Sequence, residues 1–153
     1  MVVVAAAQAI SSVNSILKRV MPCPLFEPRT KVSPARVPAP RLPLIEEFEG
    51  ICHAGETVID PEHRFKFCNR GNAAGECRSF PPGLAISAVR FTVTRITPRT
   101  LSVLVVEEQN HWPSAWSRVD FIIDEQRLEP EINEVCRRAQ VFHFCVSYLE
   151  KTK

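Results

Sequence analysis

The sequence predicts an α+β domain: a short antiparallel three-stranded meander covered by a C-terminal helix, with a cysteine-rich loop region ahead of it and an N-terminal helix on a proline-rich arm. Three observations predict it. Apolar and polar residues alternate between positions 89 and 123, apolar residues recur at three and four positions between 132 and 149, and seven of the thirteen prolines fall between 22 and 43.

Residues 2–20 avoid proline and glycine and carry no charge until Lys18. Gln8, Ser11, Ser12, Asn14 and Ser15 dilute them below a membrane span of ~20 apolar residues. A helix over 1–21 is expected, with Ile10, Val13 and Leu17 on one face for docking onto a partner protein or a membrane surface. Pro22, Pro24, Pro28, Pro34, Pro38, Pro40 and Pro43 then predict an extended linker over 22–43. That linker is locally basic, with Arg29, Lys31, Arg36 and Arg41 against Glu27, and suits an arm laid across a neighbouring protein. The folded unit is expected over 44–153.

Within it, Val89, Phe91 and Val93 alternate with Arg90, Thr92 and Thr94, and Pro98-Arg99 turns the chain into the apolar run 101–106. Val119, Phe121 and Ile123 predict a third strand, and the polar stretch 107–114 between them predicts a loop. Pro130 marks a helix start, after which Ile132, Val135, Ala139, Phe142, Val146 and Leu149 form an apolar stripe to cover the sheet. His111, Trp112 and Trp116 make up the one tryptophan cluster, expected in the loop as a contact surface or as a cap on the core.

A net charge of +2 argues against a surface built for nucleic acid, and residues 84–153 carry nine basic and nine acidic side chains. The apolar N-terminus opens without the positive charge of a secretory signal, so the expected setting is cytoplasmic, with membrane-surface contact left open. Thiols stay reduced there, and six cysteines then point to metal ligation, packing or redox chemistry. No phosphate-binding glycine loop, HExxH helix or nucleophile elbow is present, so no enzyme class is indicated.

The stretch from Cys68 to Cys77, with Gly71 and Gly75 inside it and Cys52 sixteen residues before, supplies three thiolates from a segment free to turn. The fourth ligand is open among Cys145, His53, His63 and Cys23, with Cys145 preferred. Nine residues at ~100° each put Cys136 and Cys145 on opposite sides of the helix, so they cannot serve one site together. Eight residues between Cys68 and Cys77 is wider than the usual zinc or ferredoxin spacing. Arg64, Lys66 and Arg70 beside Cys68 also suit an activated thiol.

The string Gly75-Glu76-Cys77-Arg78-Ser79-Phe80-Pro81 resembles the end of small bacterial zinc- or iron-chelating cysteine-cluster proteins, which carry a glycine and a cysteine ahead of a Cys-Arg-x-Phe-Pro ending. The resemblance covers 68–81. Those proteins carry a Cys-x-x-Cys pair upstream, where Cys52 here stands alone. It implies a metal-binding role for Cys68 and Cys77. The expected function is a small accessory subunit holding an iron–sulfur cluster or zinc and docking on a larger assembly, as in electron transfer. The alternatives are a structural interaction module with zinc or no metal, and a thiol-dependent enzyme or redox sensor.

Overall fold

The computed structural model describes residues 22–34, 42–55, 60–71 and 73–153. The expected helix over 1–21, with Ile10, Val13 and Leu17, lies outside them, as do Arg36 and Arg41. The α+β class holds, with antiparallel sheets throughout. Its detail differs from the expected meander in three ways.

First, part of the expected linker is a strand. β1 (Phe26–Lys31) pairs antiparallel with β2 (Phe48–Cys52), placing Phe26 opposite Cys52 and Pro28 opposite Gly50. Phe26 is fully buried and Pro22 and Pro28 nearly so, because the first half of the strand faces the core while Arg29, Thr30 and Lys31 face water. Proline spacing signalled an extended backbone correctly, but an extended chain with a buried face is a strand rather than a spacer.

Second, the main sheet has four strands: β3 (Ala88–Ile96), β4 (Thr100–Gln109), β5 (Trp112–Ile122) and β6 (Arg127–Glu129), in that order. Thr97 closes the first turn, its hydroxyl accepting from the Thr100 N–H at 3.0 Å. The expected loop at 107–114 is a hairpin tip instead. Asn110 and His111 both take positive φ, 50° and 70°, the geometry of a two-residue turn whose twist matches its strands. β6 escaped notice because three residues ahead of Pro130 are too short to show a period.

Third, Pro130 ends β6, and the helix begins later. Val135–Lys151 forms it, capped by the Glu134 carboxylate, which accepts from the N–H groups of Cys136 (2.9 Å) and Arg137 (2.7 Å). This helix is α2; the label α1 covers the short helical segment Pro61–His63 together with the wider-wound turn Arg64–Asn69 that continues it.

The line of α2 that is most buried runs through Cys136, Gln140, Val141, Phe144 and Cys145, and the expected stripe of Val135, Phe142, Val146 and Leu149 flanks it half-buried. Two sheets explain the shift. Phe144 and Phe142 pack tilted and edge-on against Phe91 and Phe121 of the large sheet (5.4 and 5.7 Å between rings), while His143 packs on Phe48 of the small one (4.7 Å). A helix enclosed from two directions buries more than one stripe. For the same reason Cys136 and Cys145, on opposite sides, are both buried.

Candidate metal centre

The β1–β2 ladder and α1 bring together cysteines far apart in sequence. Cys23 sits in the turn entering β1, and the register of Phe26 opposite Cys52, with the His53 N–H donating to the Leu25 carbonyl at 2.9 Å, sets that turn beside the end of β2. Cys68 lies near the end of α1, and its carbonyl accepts from the Cys23 N–H at 3.1 Å. Cys77 closes a turn whose N–H donates to the Ala73 carbonyl at 2.8 Å. Both Cys52 and Cys68 are followed three residues on by a glycine with φ near 100°, Gly55 and Gly71, a conformation that other residues rarely adopt.

Asn69 fixes α1 against β2. Almost wholly buried, its side chain accepts from the Phe48 N–H (2.8 Å) and donates to the Phe48 carbonyl (2.9 Å), imitating a neighbouring strand. Cys68, one residue before it, is thereby turned toward Cys23 and Cys52.

The result is a cavity of about 10 Å³ lined by Cys23, Cys52, Cys68, Cys77 and His63, walled by Leu25, Phe67 and Phe80. Three of these ligand candidates, Cys52, Cys68 and Cys77, are those expected from sequence. The fourth sulfur is that of Cys23, not Cys145, which lies outside this cavity in the packing of α2. His63 Nε2 lies 3.3 Å from Cys77 Sγ, and so belongs to the site as a hydrogen-bond partner. His53 does not, because its Nε2 is held at 2.6 Å by Glu27, which also pairs with Arg29 at 2.7 Å.

Electrostatics match the geometry. Burial pushes the Cys23 thiol up to about 12, and neighbouring Cys52 and Cys77 add to this, while the N–H groups of Leu25 and Phe26 act the other way. Cys68 is raised by burial and then by Cys23, Cys52 and Cys77, with Arg64 opposing weakly. Cys23 and Cys68 thus lie within each other's field and both feel the sulfurs of Cys52 and Cys77. The basic neighbours of Cys68 do not activate it, since desolvation outweighs them. Cys136 and Cys145 are each raised to about 12 by burial, Cys136 also by Glu134. They fit the core-packing role.

The Ala54 N–H donates to Cys52 Sγ at 3.4 Å. N–H groups thus face two of the four sulfurs. Among the described residues, no three His, Cys, Asp or Glu side chains already surround one point at coordination range.

Elsewhere, Trp112 and Trp116 are each 73% exposed, at the free end of the β4–β5 hairpin. Register separates them: Trp116 lies opposite Val106 and Trp112 opposite Gln109, three residues along, so they leave opposite faces of the ribbon. Among the described residues no helix is long and apolar enough to cross a membrane.

No protein-family model, curated protein or solved structure matches the chain.

Proposed function

We propose that the chain is a small accessory module built around one metal ion held by Cys23, Cys52, Cys68 and Cys77, and that it docks on a larger assembly. The observation that carries this reading is the lining of a single small cavity by four sulfurs from four separate parts of the fold. Four thiolates suit zinc, a borderline-soft ion that takes four ligands at ~2.3 Å from sulfur. Four ligands from four separate segments match the four-coordinate shell of a single structural ion. Binding draws the sulfurs onto one centre, and each thiol gives up its proton. Apparent affinity therefore rises with pH.

Zinc has no redox chemistry, so its role here is to tie the β1 turn, the end of β2, α1 and the 73–80 turn together. The exposed tryptophans, one on each face of the β4–β5 ribbon, offer two separate contacts for a partner. A single iron atom in the same four thiolates is the second reading, favoured by the half-buried Cys52 and Cys77 at the cavity's outer side, and it would serve electron transfer.

Metal analysis of protein purified without chelators decides between them. One zinc per chain and no colour is expected, with Cys68→Ser or Cys77→Ser losing the metal and ~10 °C or more of melting temperature. Coloured protein with one iron supports the second reading. Metal-free protein whose melting ignores a strong chelator would falsify both.

A further inference from the structure

Gln140, the sixth residue of α2, is fully buried. Its Nε2 donates to the carbonyls of Cys23 (2.8 Å) and Phe26 (2.6 Å), which bracket the turn entering β1. Carbonyls only accept, so these bonds fix the orientation of the amide and leave its Oε1 buried without a partner. An apolar side chain of the same length would fill that space with no orphaned oxygen. A donor aimed at both ends of one four-residue turn serves placement rather than filling.

The turn is closed by the Phe26 N–H on the Cys23 carbonyl at 3.0 Å and is also held by the Cys23 N–H on the Cys68 carbonyl and by the His53 N–H on the Leu25 carbonyl. The last two bonds run to segments that themselves carry candidate ligands, so Gln140 supplies the side-chain bonds that anchor the turn to the C-terminal helix. We propose that Gln140 is the positioning residue for the Cys23 ligand, so that the C-terminal helix, which contributes no sulfur to the cavity, governs whether the centre has four thiolates or three. The inference rests on the four-thiolate reading above.

Cobalt(II) titration of the full chain tests it, because thiolate-to-cobalt charge-transfer absorption grows with the number of bound sulfurs. Gln140→Met keeps the volume and removes the donor. It is expected to bind cobalt at least tenfold more weakly, with the reduced charge-transfer intensity of Cys23→Ser. In the Cys23→Ser background the same change should alter affinity less than twofold, since its target ligand is already gone. An unaltered four-thiolate spectrum and affinity in Gln140→Met overturns the proposal. So does a further tenfold loss in the double variant, which would mark general destabilisation. If Gln140→Met does not fold, Gln140→Asn, with the amide one methylene short, carries the same comparison. Failure of the unaltered chain to bind cobalt sinks the metal reading itself, an outcome visible before any variant is made.

Discussion

Asn69 shows how much a single side chain decides in this molecule. Its amide satisfies both backbone groups of Phe48 in a place where water has no access, and its donor also reaches the Arg64 carbonyl at 3.3 Å. Replacement by leucine leaves a buried N–H and a buried C=O without partners, at roughly 1–3 kcal/mol each. Asn69→Leu is accordingly expected to lose ~2–5 kcal/mol in urea unfolding. A loss below ~1 kcal/mol would show that the Phe48 groups find other partners. Neither Asn69 nor Gln140 was legible as important, since a polar residue beside a cysteine or on a helix reads as solvated until its surroundings are known. Cys52, Cys68 and Cys77 were legible, because glycine-rich spacing around cysteine is a local signal. The choice of Cys23 over Cys145 was not, because it depends on a strand pairing that crosses more than twenty residues.

Among the elements, the β1–β2 ladder carries most of the site's geometry, and Gly50 is its tightest point. A Cβ there would stand 2.1 Å from the Glu27 carbonyl oxygen and 2.9 Å from the Phe26 ring. Backbone cannot yield as a side-chain tip does, so Gly50→Ala must spread the two strands. It is expected to cost about 2 kcal/mol or more and to weaken metal binding, because Cys23 and Cys52 are aligned by this ladder. Chemical denaturation and zinc competition check the two effects; retention of both would mean that the ladder adjusts elsewhere. β3 and the second half of β5 were readable from alternation and β4 from its apolar run, whereas the exposed first half of β5 and the three residues of β6 carried no such pattern. β1 was hidden by the prolines around it, and the one inside it, Pro28, is tolerated where the strand's outer edge needs no N–H. The helix was found, yet its buried face was misplaced, since a one-sided stripe presumes one sheet and this helix meets two.

For the molecule as a whole, the junction of α2 with the small sheet sets a dependence on pH. His143 is packed against Phe48 and Phe142 and donates to the Pro28 carbonyl, and burial lowers its pKa below the ordinary histidine value. A base with a lowered folded pKa binds its proton more readily when unfolded. The stability it allows is therefore complete above pH ~6.5 and is lost as pH falls through the lower folded value. Melting temperature should decline below pH ~6.5, and His143→Phe, which keeps the ring and cannot ionise, should flatten that decline. An identical acid profile in the variant would move the cause elsewhere.

The small sheet has a further property that follows from its sealed margins. On the outer side of β1, Pro28 has no N–H to offer, and the carbonyls of Phe26 and Pro28 are taken by Gln140 and His143. On the outer side of β2, Asn69 occupies both groups of Phe48. A two-stranded ribbon ordinarily invites a third strand from another molecule, and from there a growing stack. Here the side chains that place the cysteines also occupy outer backbone groups of both strands, so the same residues that assemble the site leave fewer positions for a foreign strand to join.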